Sequence, residues 1–300
     1  MLDAKKIKLA IAPIGWTNDD MPELGGEIPF EQCIKEMAEA GFQGTEVGGK
    51  YPKDPAQLKK ALAPYKLQIA SQWFSALFTT KPQAETVEAF KKHMAFLKAM
   101  GSKVIVISEQ GNSIQGQMGT PLFDKKPVLD DAGWDKLAKG LEAIGKLAVD
   151  NGMKIVFHHH MGTTVQTAKE VDTLMQKTDP KLVWLLLDTG HLYYSDGGNA
   201  PLEVLKKHGK RIAHIHLKDI RDPIKKMVKD KKLSFLQSVK EGTFTVPGDG
   251  AIDFKPIFAE IEKLKYEGWM VVEAEQDPAK ANPLEYAKKA RAYIKKLTGL

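Results

Sequence analysis

The segment Leu185-Leu186-Leu187-Asp188-Thr189-Gly190-His191 joins an apolar run to a carboxylate and, three residues later, an imidazole. An apolar run of this length followed by a glycine is typical of a strand that is covered on both faces, as in parallel sheets. Oxygen and nitrogen donors at its end are ligand types that divalent transition metals accept. The alternative is that Asp188 only caps a turn and His191 is a surface histidine. These seven residues alone do not decide between the two interpretations.

Strand-like and helix-like patterns alternate along the whole chain. The strand patterns are short and apolar, whereas the helix patterns repeat every three to four residues and often end at glycine. Strands are predicted at 7–13, 44–48, 67–74, 103–109, 153–160, 182–188, 211–217 and 269–275. Helices are predicted at 30–40, 55–62, 83–100, 134–148, 165–177, 201–208 and 283–297. Eight strands separated by helices predict a (β/α)8 TIM barrel, with residues 1–300 forming a single domain.

Side chains that could bind a metal, transfer a proton or contact a substrate lie at the C-terminal ends of nearly all the predicted strands. In a closed barrel these ends meet at one mouth, where the active site of such folds lies. The strands of a doubly wound open sheet, the alternative architecture, would spread them too far apart for one site. We therefore favour the barrel. The side chains concerned are Trp16, Glu46, Trp73, Glu109, His158, His160, Asp188, His216 and Glu273.

One connection departs from the regular alternation of strands and helices. It is the segment 218–268 between the seventh and eighth predicted strands. It contains a basic run at 225–232, an apolar segment at 235–239 and the turn-like sequence Val246-Pro247-Gly248-Asp249-Gly250. Connections of this length more often carry function than serve as idle loops. We therefore expect this insertion to form a lid or rim at the barrel mouth.

Composition narrows the class of protein. The 43% hydrophobic and 27% charged residues are ordinary for a globular chain, and no apolar run reaches the roughly 18 residues of a membrane span. We expect a cytoplasmic protein without a membrane partner. The single cysteine, Cys33, excludes an internal disulfide and suits a packing role. The net charge of +6 permits nucleic-acid binding, but the lysines are scattered, so no nucleic-acid partner is expected.

Alternation along the strands sorts the candidate ligands into pairs, because residues two apart share a face. The pairs are His158 with His160, His214 with His216, and Glu273 with Glu275. Imidazoles and carboxylates without cysteine suit Mn²⁺, Co²⁺, Fe²⁺ or Zn²⁺ better than Ca²⁺ or a structural zinc. Such a metal would polarise a substrate carbonyl or hydroxyl. Motifs for phosphate binding, a serine nucleophile or a dinucleotide are absent.

The layout resembles the xylose-isomerase-like TIM barrels, a superfamily of sugar isomerases, ketose epimerases and endonuclease IV. The resemblance rests on Asp188-Thr189-Gly190-His191, His216-Leu217-Lys218-Asp219 and Val271-Val272-Glu273. It implies that Asp188, His216 and Glu273 bind a metal. Many relatives have a glutamate as the fourth ligand, whereas this chain has His158. That departure argues against an epimerase mechanism that uses the missing glutamate.

Within the superfamily the chain resembles the myo-inosose-2 dehydratases of inositol catabolism, over 11–27, 44–52, 188–191 and 244–250. The resemblance implies loss of water from 2-keto-myo-inositol, giving a trihydroxycyclohexane-1,2-dione. It also implies Mn²⁺ or Co²⁺ as the metal and glutathione as a further cofactor, for which the sequence shows no site. The partner is then a small polyol ketone, and assembly into a homo-oligomer remains open.

The implied reaction needs a base to remove the proton next to the ketone and an acid to help the hydroxyl leave. The candidates for proton transfer and hydroxyl recognition are His160, His191, Glu46 and Glu109, and spacing does not separate acid from base. The candidates for substrate binding are Trp16, Asn18, Trp73 and Lys218. Three other functions compete: a ketose epimerase or sugar isomerase of the same superfamily, an endonuclease IV-like DNA-cutting enzyme, and a non-catalytic sugar-binding barrel.

Overall fold

The computed structural model describes all of residues 1–300 and contains eleven strands. In chain order these are β1 (Ile7–Ile11), β2 (Gly44–Glu46), β3 (Gln68–Ser71), β4 (Trp73–Ala76), β5 (Val104–Glu109), β6 (Lys154–His158), β7 (Val183–Asp188), β8 (Ile212–Leu217), β9 (Asp219–Ile220), β10 (Phe244–Thr245) and β11 (Gly268–Val272). Nine of them form one parallel sheet in the order β3-β2-β1-β11-β8-β7-β6-β5-β4. Because β1 pairs with both β2 and β11, the first and last strands lie side by side.

The barrel closes through β3 and β4. These two consecutive strands are separated only by Gln72 and together occupy one position in the barrel. β3 pairs with β2, with Thr45 opposite Ile69, and β4 pairs with β5, with Phe74 opposite Ile107. The sheet therefore has eight positions around the barrel. The predicted (β/α)8 architecture is confirmed.

Eleven helices accompany the strands. They are α1 (Phe30–Glu39), α2 (Pro55–Leu62), α3 (Gln83–Ala99), α4 (Asp131–Asp150), α5 (Ala168–Lys177), α6 (Thr189–Ser195), α7 (Ala200–His208), α8 (Asp222–Asp230), α9 (Phe235–Lys240), α10 (Phe254–Lys263) and α11 (Pro283–Thr298). Side-chain caps begin several of them: Asp54 accepts a hydrogen bond from the Gln57 amide, and Thr167 forms a capping box with Glu170. None of the helices is both long enough and apolar enough to cross a bilayer.

Apolar side chains fill the barrel interior beneath the C-terminal ends of the strands, and polar side chains lie at the mouth, where the strands end. Small and branched side chains such as Ala10, Val156 and Leu186 are buried in clusters among the strands. Side chains two residues farther along a strand point to the same face. The alternation that buries Val156 and Leu186 therefore places His158 and Asp188 at the mouth.

The long connection 218–268 is not a single insertion. Its last helix, α10, packs against α7 and takes the place of the ordinary outer helix before β11. The part beyond a regular barrel consists of the antiparallel β9–β10 ribbon with α8 and α9. The side chains of Phe235 and Phe244 are buried in a small apolar cluster with Met161 and Tyr194. This part, which we call the mouth segment (218–250), borders the site; its action as a lid or rim remains a prediction.

Asp219 holds the mouth segment together. Its carboxylate accepts hydrogen bonds from the backbone amides of Ile220, Gly248, Gly250 and Ile252, at 2.8–3.2 Å. A Cβ on Gly250 would lie 2.3 Å from Asp219 Oδ1, so the approach of this loop requires a residue without a side chain. The Val246–Gly250 turn is therefore wrapped around one buried carboxylate.

Asp219→Ala is expected to lower the free energy of unfolding by about 2–4 kcal/mol, because buried amides lose their acceptor. Urea and thermal unfolding measure the change. Asp253→Ala is the matched control: Asp253 caps α10 by accepting from the Lys255 amide, and loss of such a cap costs about 1 kcal/mol. Equal stability of the Asp219→Ala variant and the unmodified protein would contradict the assigned role.

Candidate metal centre and active site

Four side chains converge at the barrel mouth: His158 at the end of β6, Asp188 at the end of β7, His216 in β8 and Glu273 directly after β11. One donor atom from each lies within 4.8 Å of the others. Asp188 Oδ2 lies 3.5 Å from His158 Nε2 and 3.6 Å from His216 Nδ1, and Glu273 Oε2 contacts His216 Nδ1. We call these four residues the metal quartet.

The hydrogen bonds of the quartet leave the inward donor atoms free. His158 Nδ1 donates to the His159 carbonyl at 2.6 Å, and His216 Nε2 lies 3.2 Å from Glu46 Oε1. Asp188 Oδ2, His216 Nδ1 and Glu273 Oε2 face one another at the centre of the quartet, and none of them has a hydrogen-bond partner outside it. Buried polar atoms are rarely left unpaired, and two imidazoles with two carboxylates form an ordinary donor set for a divalent metal. The residues therefore fit a divalent cation.

Asp188 is both a helix cap and a candidate metal ligand, the two roles that the sequence offered as alternatives. Its Oδ1 accepts a hydrogen bond from the His191 amide at 2.7 Å and caps α6, while its Oδ2 points into the quartet. His191 is fully buried, so the surface-histidine alternative is wrong. The cap fixes the rotation of the carboxylate and so directs its second oxygen toward the other ligands.

Charge favours the metal-binding protonation state at three of the four quartet residues. Burial raises the pKa of Asp188, but Lys218 and His216 outweigh it and bring the pKa to about 2. The same balance, with Lys218 and His216 opposing burial, lowers the pKa of Glu273 to about 2. Burial, together with His216, holds the pKa of His158 well below its usual value. Ionised carboxylates and a neutral imidazole are the forms that bind a metal ion. His216 differs, because burial is outweighed by Glu273 and Glu46, which hold its pKa well above its usual value, so a metal would displace a proton from it.

Glu46 contacts the quartet through His216 Nε2, the ring nitrogen that does not face Asp188 and Glu273. Its Oε1 lies 2.9 Å from His214 Nε2 and 3.2 Å from His216 Nε2. Burial raises the pKa of Glu46, but His216 and His214 outweigh it and lower the pKa. A carboxylate on the second nitrogen of a ligand histidine fixes its tautomer and orientation. The sequence suggested Glu46 for proton transfer, and Glu46 does line the cavity at the barrel mouth, but its contacts with His214 and His216 are those of a residue that positions His216.

A cavity of about 240 Å³ opens from the quartet toward solvent. His216 and Glu273 lie at its floor, and its wall includes Trp73, His160 and Glu275. The Trp73 ring meets the rings of His158 and His160 edge-on, with centroids 5.4 and 5.6 Å apart. Trp73 and His160 therefore border the space next to the proposed metal, as the sequence suggested.

Sequence alternation pairs Glu275 with Glu273 on one face of the last strand, but the sequence assigns Glu275 no role. It is buried, and its Oε2 lies 2.8 Å from Lys218 Nζ. His191 stands behind His160, with ring centroids 3.8 Å apart, and does not line the cavity. Lys218 is fully buried beside these residues and does not line the cavity either.

Two predicted substrate-binding residues lie elsewhere. Trp16 is buried on the helix side of the barrel, where its Nε1 donates to Glu36 Oε2 at 2.6 Å. Asn18 is buried, and its Oδ1 accepts from the amides of Asp20 and Met21, which shapes the loop after β1. Neither lines the cavity, because Trp16 packs outward and the Asn18 carbonyl is taken up by its own loop.

Glu109 is also outside the site, although it too ends a strand. Its carboxylate accepts hydrogen bonds from the Phe78 amide at 3.0 Å, the Gly111 amide at 2.9 Å and the Thr79 hydroxyl at 2.9 Å. These contacts use both oxygens to join the loops that follow β4 and β5. Glu109 therefore organises loops rather than facing substrate.

Glu109→Gln is expected to lower the free energy of unfolding by about 1–3 kcal/mol, because an amide nitrogen replaces one of the accepting oxygens. The turnover number of the folded variant should stay within a few-fold. A fall of about 10²–10⁴-fold in kcat, the usual contribution of general acid–base catalysis, would instead support the sequence-based role. Steady-state kinetics and thermal unfolding of one preparation separate the two outcomes.

Comparison with known proteins agrees with the fold. The family model described as xylose isomerase-like TIM barrel matches residues 26–297. An inosose dehydratase from Geobacillus thermodenitrificans is 64% identical over 300 residues, covering 100% of both chains. An inosose dehydratase from Clostridium tetani is 63% identical over 294 residues, covering 98% of both chains.

Solved structures with low sequence identity share the fold. A D-allulose 3-epimerase from a Methylomonas species, in complex with D-allulose, has a TM-score of 0.69 at 20% identity and covers 99% of both chains. The IOLI protein with a bound zinc atom has a TM-score of 0.70 at 17% identity, over 97% of this chain and 98% of that one. From these matches and the full-length relatives, the chain belongs to the xylose isomerase-like TIM barrel family and, within it, to the family of the inosose dehydratases.

Proposed function

We propose that this chain is a metal-dependent hydro-lyase that removes water from 2-keto-myo-inositol in inositol catabolism. One structural observation carries the proposal: four donor groups converge at the barrel mouth, and two of them, His216 and Glu273, line a cavity whose wall also contains His160 and Glu275. The full-length identity of 64% to an inosose dehydratase supports the choice of substrate within the family.

A bound divalent metal would stabilise the negative charge that develops on the ketone oxygen when the neighbouring C–H bond loses its proton. His158, Asp188, His216 and Glu273 would hold it. Proton transfer then falls to the other ionisable side chains at the cavity wall. We infer that His160 and Glu275 share this task, one removing the proton and the other assisting the departing hydroxyl, because both border the cavity beside the quartet, whereas Glu46, which also lines it, is engaged by His214 and His216.

The remaining features of the site support binding of a polyol ring. Trp73 offers a flat wall at the cavity, and its Nε1 is satisfied by Ser75 Oγ at 2.9 Å. Phe235 of the mouth segment packs on His160, with ring centroids 5.0 Å apart, and shields that side from water. A shielded site strengthens the electrostatic interactions within it.

Nitrogen and oxygen donors without sulfur are compatible with Mn²⁺ or Co²⁺, which we propose as the metal. Glutathione, a cytoplasmic location and assembly into a homo-oligomer remain predictions, since no group of residues at the site bears on them.

Incubation of the metal-loaded protein with 2-keto-myo-inositol tests the function. We expect growth of an ultraviolet absorbance from the conjugated dione, loss of that signal after treatment with a chelator, and recovery on adding Mn²⁺ or Co²⁺. Epimerisation of a ketohexose without dione formation would replace the proposal by an epimerase. Full activity after complete metal removal would overturn the metal dependence.

A further inference from the structure

Lys218 places an amine inside the polar core of the site. The residue is fully buried, and its Nζ lies 2.8 Å from Glu275 Oε2 and 3.0 Å from His191 Nε2. The same Nζ lies 3.6 Å from Glu273 Oε1 and 3.7 Å from Asp188 Oδ2, two members of the metal quartet. The amine therefore stands where three carboxylates approach one another.

A second set of donors surrounds this amine. His160, His191 and Glu275 each place one donor atom within 4.8 Å of the others. Glu275 Oε1 lies 3.9 Å from His160 Nε2 and 3.8 Å from His191 Nε2. Two imidazoles and a carboxylate suffice for a divalent cation with open coordination positions. The second donor set therefore has the composition of a metal site, yet Lys218 already contacts two of its three members.

The surrounding segment is shaped to hold Lys218 there. A Cβ on Gly190 would lie 2.5 Å from Lys218 Cγ, so only glycine leaves room for the lysine stem. Thr189 Oγ1 donates to the Lys218 carbonyl at 2.7 Å and accepts from its amide at 3.0 Å. The Nζ also lies 4.8 Å from the centre of the Phe244 ring. Backbone, stem and amine are thus each fixed by a separate contact.

Charge balance explains why an amine occupies this place. Asp188 and Glu275 are buried and Glu273 is half-buried, so three carboxyl groups share a region where uncompensated negative charge is costly. One divalent cation in the quartet and one ammonium supply three positive charges. Without the ammonium, a site with one metal would keep a net negative charge and would attract a further cation.

We propose that Lys218 occupies a second cation position, formed by His160, His191 and Glu275, and so limits the site to one divalent metal. The inference rests on the metal centre proposed above and goes beyond it, since it concerns how many cations the site accepts. It also assigns a task to each residue of Asp188-Thr189-Gly190-His191: Asp188 binds the metal, and the other three hold or contact Lys218.

The Lys218→Met variant tests the proposal, because methionine keeps an unbranched stem and removes the amine. Mn²⁺ binding is measured by equilibrium dialysis, and electron paramagnetic resonance of the loaded protein reports magnetic coupling between neighbouring Mn²⁺ ions. We expect one Mn²⁺ per chain in the unmodified protein, and in the variant a second Mn²⁺ with the spectrum of a coupled pair. Adding Glu275→Gln to the variant should return it to one.

Two controls keep the result interpretable. Lys225→Met removes another half-buried amine, which contacts the Tyr193 carbonyl and no member of either donor set, and should leave one Mn²⁺ per chain. Gly190→Ala displaces the Lys218 stem without touching a donor and should also admit a second Mn²⁺. A single Mn²⁺ in folded Lys218→Met or folded Gly190→Ala protein would overturn the inference and leave the proposed function standing. An unmodified protein that binds no Mn²⁺ would overturn the metal centre itself.

Discussion

Asp188→Asn is expected to abolish metal binding and to reduce dehydration by about 10³-fold or more, since a metal contributes several kcal/mol to stabilising a developing oxyanion. Asparagine keeps the oxygen that caps α6 through the His191 amide but replaces the inward oxygen of the quartet by an uncharged group. The fold should therefore survive. Metal content after dialysis, dione formation and thermal unfolding are measured on the same preparation.

Asp54→Asn is the matched control for this change. Asp54 also caps a helix, accepting from the Gln57 amide at 2.8 Å, but it belongs to no donor set and does not line the cavity, so metal content and turnover should stay unchanged. Asp188→Ala should behave like Asp188→Asn in activity and lose about 1 kcal/mol more stability, because it removes the cap as well. Normal metal content in Asp188→Asn would remove Asp188 from the ligand set.

Glu46→Ala is expected to lower the free energy of unfolding by about 3–5 kcal/mol, because it leaves the buried imidazoles of His214 and His216 without their shared carboxylate. Glu46→Gln keeps an oxygen near them and should be milder in stability. It should still weaken metal affinity by roughly 10–100-fold, the usual cost of losing a partner behind a ligand histidine. Metal titration and urea unfolding give the two quantities.

The dependence of Glu46→Gln on metal concentration separates positioning from proton transfer. If Glu46 positions His216, saturating metal should restore kcat to within a few-fold of the unmodified protein. If Glu46 carries a proton in the reaction, as its place at a strand end suggested, kcat stays low at every metal concentration while metal affinity is preserved. The second result would reverse the assignment made from the structure.

Much of the architecture could be predicted because its signals are local. Apolar runs and helical periodicity marked all eight barrel positions, and each needs only a few neighbouring residues to be recognised. The predicted boundaries fail where local pattern gives way to loop contacts: β6 ends at His158 rather than 160, and β11 ends at Val272 rather than 275. Helices α6, α8, α9 and α10 were not predicted: α6 has only seven residues, too few for a periodic pattern, and the other three lie in the connection 218–268, which the sequence analysis treated as one insertion.

Glu46 and Glu109 show where sequence pattern stops being informative. Each is a carboxylate at the end of a short strand, so the two look alike in the sequence. In the fold, Glu46 reaches across the barrel to His214 and His216 on β8, 168 and 170 residues away. Glu109 instead turns to the loop after its neighbouring strand, at Phe78 and Thr79. The two carboxylates differ in the direction in which their side chains point and in the residues that surround them. Both depend on strand tilt and packing, which the sequence pattern does not show.

The segment 185–191 shows the same division within a few residues. The amino-acid sequence by itself determined a buried strand that delivers Asp188 to the barrel mouth, because strand formation and side-chain alternation depend on adjacent residues. Only the tertiary structure decided that Gly190 makes room for Lys218 and that Thr189 clamps its backbone. Those contacts join β7 and β8, and the order of strands around the closed barrel creates them.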